Sequence, residues 1–369
     1  MSKPRVLFSI PTRHHVEIAS DELEGLQDLG YSCGQFSYAA KEGVTSTAGR
    51  LKVIFSNAWA LVKVAKQFKP DVIYFNSRLE ALAGMRDYIT IRLFKLFYRK
   101  PVCILLKSHG SDIDVLQSKQ RLISATILPY LQKHITGWLF LSSEERRLII
   151  DSGFLPEQRV FIAKNIVRNN HFKRDSSFKQ NLKISEDSKV LLFVGRLIKE
   201  KGIYEVIEGF AKLVGALSTQ TVLIVVGWGT DEAELKQLCE RLNIANRVIF
   251  TGFIPEQDVV NYYANSDVLV FPTYFPEGFP MALFNSVAAG LGVITTPTRA
   301  AADYLTSPDN CLWAEGQNSD SVCKALRNLL SDEQLLESMK QRNVEKGREF
   351  SKEQVAIELS EIIQKAINL

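Results

Sequence analysis

The sequence has 369 residues, of which 46% are hydrophobic and 23% charged, and its formal net charge is +4. This length predicts two domains with separate cores, and the composition is typical of a globular chain. No apolar run approaches the roughly 18 residues that a membrane-spanning helix needs. The first residues lead into a strand without a signal-peptide pattern, and five scattered cysteines lack a C-x-x-C pair. These features predict a cytoplasmic protein with reduced thiols and no thiolate metal site.

The charge is distributed unevenly along the chain. Residues 1–183 hold 28 Lys and Arg against 16 Asp and Glu, a net +12, whereas the remainder holds 17 against 25, a net −8. A basic half attracts nucleic acid, an anionic membrane surface or an anionic substrate. A solvated surface with biased composition explains the same counts.

Strands and helices alternate along the first half of the chain, which predicts a parallel, doubly wound sheet. The predicted strands cover 5–10, 31–38, 71–76, 101–110, 137–143 and 159–165, and the predicted helices cover 18–29, 51–68, 87–98 and 144–152. A polar segment, 170–188, predicts the domain linker.

The second half repeats the alternation and predicts a second Rossmann-like domain. Its predicted strands cover 189–196, 221–227, 247–252, 267–272 and 292–296, and its predicted helices end at 217, 242, 330, 345 and 367. The predicted domains are residues 1–172 and residues 173–350. The last segment, 351–369, is predicted to be a helix that packs back on the first domain.

The stretch from Glu277 to Gly290, EGFPMALFNSVAAG, follows a predicted buried strand and opens a helix. Pro280 suits the first turn of a helix, and Gly290 suits a left-handed ending. The helix N-terminus would then face the carboxyl edge of the sheet, where open α/β sheets bind ligands and where N–H groups suit a phosphate. Glu277 would serve another group, such as sugar hydroxyls. An ordinary surface loop before a helix is the alternative.

Three other strand ends carry candidate residues. Arg196 after Gly195, with Lys201, would clamp a diphosphate, unless they are only surface cations. Gly227 and Gly229 form a G-x-G turn that a base ring could approach, although most such turns are only turns. His109 ends a buried strand, where a structural role is the more common one.

These motifs together resemble the family four retaining glycosyltransferases of the GT-B fold. The matching motifs, in order and spacing, are KSHGSD (107–112), FLSSEERRLI (140–149), VFIAKNIV (160–167), FVGRLIKEKGI (193–203), VVGWGTDEAELKQL (225–238), VIFTGFIPEQDVVNYYANSDVLVFPT (248–273) and EGFPMALFNSVAAG. The resemblance implies an α/β protein of GT-B architecture, with two Rossmann-like domains facing each other across a deep cleft.

The resemblance also implies a role for each candidate residue. Those named as catalytic are His109, Arg196, Lys201 and Glu277. The two cations would bind the donor diphosphate, Glu277 would contact hydroxyls of the donor sugar, and His109 would face that sugar from the first domain. The other expected donor-binding residues are Gly195, Gly227, Gly229, Gly278, Phe279, Pro280, Met281, Leu283 and Asn285. No metal and no cofactor are expected, because the cations and the helix dipole can stabilise a leaving diphosphate. Asp112 and Asp114 would then be positional.

The chain departs from the family pattern at three places. Asn285 stands where the family has a second glutamate, which normally meets the donor ribose, and a neutral amide should hold a diol less well. Arg13-His14-His15 and Thr298-Arg299-Ala300-Ala301 each replace a Gly-Gly pair.

The implied function is a retaining, metal-independent, hexosyltransferase-type glycosyltransferase. It would move a sugar from a nucleotide-diphosphate sugar to a glycan or lipid-linked acceptor in polysaccharide or glycolipid biosynthesis. The alternative, favoured by Asn285, is a degenerate GT-B protein that binds a ligand or partner without turnover. No nucleic-acid partner is expected.

The segment 86–99, RDYITIRLFKLFYR, predicts contact with an anionic membrane at the inner face of the cell membrane. On a helix, Arg92, Lys95 and Arg99 share one side, and apolar residues cover most of the rest. The alternative is a helix buried against the first sheet with its cations at the surface.

Overall fold

The computed structural model describes residues 3–11, 16–38, 43–168, 172–214 and 220–369. The chain divides into two compact units: residues 1–166 with 352–369, and residues 167–351. By this division the predicted boundary at residue 172 lies inside the second unit. The replacement of Gly-Gly by residues 13–15 lies outside the described residues, as does the end of the helix predicted to reach residue 217.

The first unit is built on a parallel sheet of six strands in the order β2-β1-β3-β4-β5-β6. Its elements are β1 (Arg5–Ile10), α1 (Val16–Asp28), β2 (Ser32–Ser37), α2 (Thr47–Phe68), β3 (Val72–Leu79), α3 (Ala81–Phe97), β4 (Cys103–Ser111), α4 (Leu128–His134), β5 (Gly137–Phe140), α5 (Ser143–Asp151) and β6 (Val160–Ile162).

Both faces of this sheet are covered, so its strands are apolar on both sides. Successive residues of β4 illustrate this: Leu106 packs in the core beneath α2 and α3, whereas Leu105 packs in the core beneath α1. The sequence sets the helix starts locally. Ser142 is the N-cap of α5: its hydroxyl accepts a hydrogen bond from the Glu145 backbone N–H at 3.2 Å and donates to the Glu145 carboxylate at 3.1 Å.

The second unit has its own parallel sheet of six strands in the order β12-β11-β10-β7-β8-β9. Its elements are α6 (Phe178–Asn181), β7 (Lys189–Val194), α7 (Ile203–Val214), β8 (Thr221–Val226), α8 (Glu232–Arg241), β9 (Val248–Gly252), α9 (Glu256–Ala264), β10 (Val268–Phe271), α10 (Met281–Ala288), β11 (Gly292–Thr295), α11 (Arg299–Tyr304), β12 (Leu312–Trp313), α12 (Ser319–Ser331) and α13 (Glu333–Gly347).

The prediction of two Rossmann-like α/β domains is confirmed, and the second sheet has the dinucleotide-binding strand order. Sequence reasoning missed α4, α6, α9, α11 and β12. All five are short, and periodicity is weakest in elements of this length. The segment predicted to touch a membrane is a helix over Ala81–Phe97, so Arg99 lies beyond its end.

The last helix, α14 (Lys352–Ile367), belongs to the first unit. It packs against α1, where a Cβ atom added at Gly25 would lie 2.8 Å from the Cβ of Ala356. Glycine therefore permits the close approach of the two helices. In the described ranges, none of the helices combines the length and apolarity that a bilayer crossing requires.

Candidate active site

The strand order of the second sheet reverses between β7 and β10. The chain runs outward from β7 through β8 and β9 on one side, and from β10 through β11 and β12 on the other. Open α/β sheets bind ligands outside the carboxyl ends of the strands at such a reversal. The loops that leave β7 and β10 there, residues 195–202 and 272–280, carry Arg196, Lys201 and Glu277.

The G-x-G turn after β8 holds the β7 loop by close backbone packing. A Cβ atom at Gly227 would lie 1.9 Å from the Gly195 carbonyl oxygen, and one at Gly229 would lie 2.1 Å from that of Leu197. The Leu197 N–H also donates to the Trp228 carbonyl at 3.0 Å. The two glycines are therefore needed for the close packing of the loop that carries Arg196. That they also flank a nucleoside stays a prediction.

The β7 and β10 loops are joined through the carbonyl oxygen of Glu200. This oxygen accepts hydrogen bonds from the Tyr274 and Phe275 backbone N–H groups, each at 3.0 Å, and from the Thr273 hydroxyl at 3.2 Å. Gly202 has φ +78°, and a Cβ atom there would lie 2.4 Å from the Pro272 carbonyl oxygen. Only glycine satisfies both conditions, so the backbone fixes the position of Lys201 against the β10 loop.

Lys201 and Glu277 form a partly buried ion pair between these loops. The Lys201 Nζ donates to the Glu277 Oε1, and the side chains are 8% and 19% exposed. Burial lowers the pKa of Lys201 to about 8, and the nearby Arg196 guanidinium acts in the same direction. The Glu277 carboxylate in contact with Nζ opposes that shift and favours the charged ammonium.

Arg196 and Lys201 share one aromatic ring. The Lys201 Nζ lies 4.5 Å and the Arg196 Cζ 5.4 Å from the centroid of Phe275. Arg196 is exposed, and the ring gives both cations a favourable surface while they remain close together. Two neighbouring cations at a strand reversal can both donate charge-assisted hydrogen bonds to a phosphate group.

The Glu277 loop leads into α10 as the sequence predicts, with Pro280 as the residue that precedes the first helical residue, Met281. Phe279 stacks on Phe284 at 3.8 Å between ring centroids, and Leu283 is fully buried. The side chains of Phe279 and Leu283 thus belong to the core, and only their backbone can face a ligand. The loop residue Gly278 is also buried. An α-helix leaves its first N–H groups without an intrahelical acceptor, which suits an anion.

Gly290 ends this helix in the left-handed region, with φ +75°, as predicted. A Cβ atom there would lie 2.6 Å from the Val344 Cγ2, so α13 also approaches closely at this point.

Arg299 is a residue near the site whose contact sequence reasoning missed. Its side chain donates to the Pro276 carbonyl oxygen at 2.8 Å, one residue before Glu277, and the residue is only 8% exposed. The signal was present as the Thr298-Arg299-Ala300-Ala301 departure, but no sequence pattern predicts a partner for the guanidinium. The structure shows that it braces the loop that carries Glu277.

Asn285 lies on α10, half-buried, and its side chain forms a hydrogen bond with the Tyr263 hydroxyl. Tyr263 is 3% exposed, and burial raises its pKa, while the hydrogen bond with Asn285 acts in the opposite direction. The amide that replaces the second glutamate therefore has a protein partner on α9.

His109 lies near the end of β4 in the first unit and is 8% exposed. Its Nε2 lies 2.7 Å from the Asn76 Oδ1. The Asn76 Nδ2 donates to the Ser9 carbonyl oxygen at 3.0 Å, and the Asn76 backbone N–H donates to the Ser9 hydroxyl at 2.7 Å. Because the amide NH₂ is directed to Ser9, its oxygen faces the ring, and the ring nitrogen must donate. The neutral His109 ring therefore carries its proton on Nε2 and a lone pair on Nδ1.

Among the described residues, no group of three or more His, Cys, Asp and Glu is arranged to hold a metal ion. Asp112 and Asp114 are both exposed and flank a 3₁₀ turn that spans Ile113–Gln117.

In the Asn76→Leu variant we expect the proton of the neutral His109 ring to be shared between Nε2 and Nδ1, because the acceptor that holds the Nε2 proton is lost. Two-dimensional ¹⁵N NMR of the imidazole rings checks this, since the chain has only five histidines and His109→Gln assigns the signal. Asn76→Asp should raise the His109 pKa, because a carboxylate favours the imidazolium. Asn328→Leu, at an exposed asparagine, is the control. A proton on Nδ1 in the unaltered protein contradicts the assignment.

The part of the chain that matches a known family model lies within the second unit. Residues 174–346 match the family model described as "Glycosyl transferases group 1". The N-acetyl-alpha-D-glucosaminyl L-malate synthase of Bacillus anthracis is 26% identical over 253 residues, which cover 68% of this chain and 64% of that protein. The capsular polysaccharide biosynthesis glycosyltransferase CapM of Staphylococcus aureus is 25% identical over 302 residues, which cover 78% of this chain and 75% of CapM. For three other matches among the curated relatives the chain spans 46%, 62% and 64% of the relative's length.

Solved structures match over nearly the whole chain. HepE of Anabaena, solved in complex with UDP and glucose, has a TM-score of 0.75 and 16% identity, and the match covers 98% of this chain and 99% of HepE. At this identity the likeness concerns the fold. The likeness shows that the chain has the GT-B fold, and residues 174–346 are similar to the group 1 glycosyl transferases.

Proposed function

We propose that this protein is a retaining glycosyltransferase that moves a sugar from a nucleoside-diphosphate sugar to a glycan or lipid-linked acceptor. The reaction would serve polysaccharide or glycolipid biosynthesis on the cytoplasmic side of a membrane. The observation that carries the proposal is the Lys201–Glu277 pair beside Arg196, held at the strand reversal of the second sheet. The relatives support it, since CapM is named for capsular polysaccharide biosynthesis and HepE was solved with UDP.

The charges at this site suit a sugar diphosphate. Arg196 and Lys201 would contact the diphosphate, and the backbone at the start of α10 would add N–H donors. Glu277 would accept hydrogen bonds from sugar hydroxyls. In the unliganded protein Lys201 and Glu277 neutralise each other, so the site holds both groups ready without leaving an isolated buried charge.

The proposed transfer proceeds on one face of the sugar. The bond between the anomeric carbon and the diphosphate oxygen breaks, and the acceptor oxygen bonds to that carbon from the same face. The acceptor's hydroxyl proton passes to the departing phosphate oxygen. Arg196, Lys201 and the helix N-terminus would stabilise the charge that develops on the diphosphate, so the proposal requires neither a metal nor a cofactor. His109 would face the donor sugar, as the family resemblance implies.

Asn285 favours a second candidate, a protein that binds a nucleotide without turnover. Its amide is engaged by the Tyr263 hydroxyl and carries no charge. The decisive experiment has two steps. A thermal-shift panel of nucleoside diphosphates and sugar nucleotides reports binding. Release of nucleoside diphosphate from the best donor, in the presence of a lipid and glycan extract, reports turnover. Binding without release would support the second candidate, and the absence of both would contradict the proposed site.

Lys201→Ala should weaken nucleoside diphosphate binding by about 1.5–3 kcal/mol, because it removes a charge-assisted contact at a mostly buried position. Arg196→Ala should have a smaller effect, about 0.2–1 kcal/mol, because Arg196 is exposed and screened. Isothermal titration calorimetry with a nucleoside diphosphate measures both. Lys199→Ala, at an exposed cation two residues from Lys201, is the control. Affinities that match the control in both variants would sink the site assignment.

Binding of a nucleoside diphosphate should also weaken above pH 8. The pKa of Lys201 is lowered to about 8 by burial and by Arg196, so at higher pH the free protein must take up a proton to present the ammonium. Affinity should then fall by up to about tenfold per pH unit. Titrations between pH 7 and roughly 9.5 check this, with Lys201→Arg as the comparison, because arginine keeps its charge across that range. A flat profile in the unaltered protein would show that Glu277 holds the lysine charged.

If Asn285 occupies a ribose-binding position, Asn285→Ala should weaken donor binding, and Asn285→Glu should be tolerated or tighten it. The glutamate can accept from the Tyr263 hydroxyl and still offer an oxygen to a diol. Tyr263→Phe separates loss of the contact with Tyr263 from loss of a contact with the donor, since it removes the tyrosine hydroxyl and leaves the Asn285 amide. Unaltered donor affinity and turnover in Asn285→Ala would remove this residue from the site.

A further inference from the structure

Helix α2 carries a row of exposed apolar side chains along its length. Leu51, Phe55 and Trp59 are 38%, 50% and 58% exposed. Their spacing of four residues places them one above another on a helix. Lys63, which is also exposed, continues the row. Large apolar side chains in a continuous row are not what a solvated helix face requires.

The row continues onto helix α3. The rings of Trp59 and Phe97 meet edge to face, with centroids 5.2 Å apart. Phe97 is 42% exposed and Leu96 is 59% exposed. We call these five residues, Leu51, Phe55, Trp59, Leu96 and Phe97, the aromatic face. A contiguous exposed apolar surface of this kind marks a site of association.

The exposed charges that α2 and α3 themselves carry all have one sign. Helices α2 and α3 lie wholly within the described residues, and the only carboxylate on either of them is Asp87. Asp87 is 1% exposed and accepts hydrogen bonds from Tyr38, Ser77 and Arg86. The exposed charged residues of the two helices and of the segment after α3 are Arg50, Lys52, Lys63, Lys66, Arg92, Lys95, Arg99 and Lys100.

The positive charge discriminates between the three kinds of partner that could cover the aromatic face. A second copy of the chain would bring cations against cations, which opposes self-association. Nucleic acid would suit the cations but gives aliphatic side chains such as Leu51 and Leu96 no apolar medium. An anionic membrane suits both features, because aromatic and aliphatic side chains enter the headgroup boundary while Lys and Arg contact lipid phosphates.

We propose that the aromatic face docks this protein on an anionic membrane surface. The inference goes beyond the proposed reaction and holds whether or not the second unit transfers sugars. It also changes the element expected to touch lipid. In α3 the apolar residues Ile91 and Phe94 are buried in the core, and Arg92 is hydrogen-bonded to Tyr88. The apolar contribution therefore comes mainly from α2.

Co-sedimentation of the full chain with phosphatidylcholine vesicles, with and without phosphatidylglycerol, tests the proposal. We expect pelleting with the anionic vesicles only, weaker as salt rises. Lys52→Glu with Lys63→Glu should lower partitioning by at least about 25-fold, at about fivefold per lost cation. Phe55→Ser with Trp59→Ser should abolish it. The matched controls are Phe253→Ser and the pair Lys324→Glu and Lys365→Glu, at exposed positions on elements other than α2 and α3.

Tryptophan fluorescence provides a readout that does not depend on folding of the double variants. Trp59 is exposed, so its emission should shift to the blue when anionic vesicles are added, and Trp59→Phe should still pellet but lose the shift. Equal pelleting with neutral and anionic vesicles, or none with either, overturns the proposal. So does a dimer in sedimentation velocity that Phe55→Ser with Trp59→Ser converts to monomer, or binding to an oligonucleotide but not to vesicles.

Discussion

The ion pair between Lys201 and Glu277 depends on two loops that leave neighbouring strands of one parallel sheet. The carbonyl oxygen of Glu200 accepts three hydrogen bonds from the opposite loop, and Gly202 lets the backbone approach the Pro272 carbonyl. These contacts are made by the backbone, so they fix the position of the charged side chains independently of any ligand. A site assembled in this way needs little rearrangement to meet a diphosphate.

The same sheet explains why glycines and an arginine gather around the pair. Gly227 and Gly229 are needed because a neighbouring loop comes within 1.9 and 2.1 Å of where their side chains would start. Arg299 supports the Glu277 loop from the other side through the Pro276 carbonyl. Much of the local sequence is thus explained by the backbone geometry that presents Arg196, Lys201 and Glu277.

The two units differ in the sign of their charge, and the two proposals concern different units. The first unit carries the basic helices and the aromatic face, and the second carries the cations of the candidate donor site within an otherwise acidic sequence. Together, the proposed membrane face and the proposed donor site would bring a sugar donor to an acceptor held at a membrane.

The sequence by itself determined the alternation of strands and helices, the two Rossmann-like units and the strand ends that carry Arg196, Lys201, Glu277 and His109. It could do so because buried parallel strands are apolar on both faces and because helix ends have local signals, such as Gly290. Only the tertiary structure decided which groups meet. The contacts of Lys201 with Glu277, Arg299 with Pro276, and Asn76 with His109 join residues 76, 23 and 33 positions apart. Periodicity predicts whether a residue is buried, but it does not predict which residue it contacts. For the same reason, the sequence did not show that exposed apolar residues of α2 and α3 adjoin one another; the packing of the two helices does.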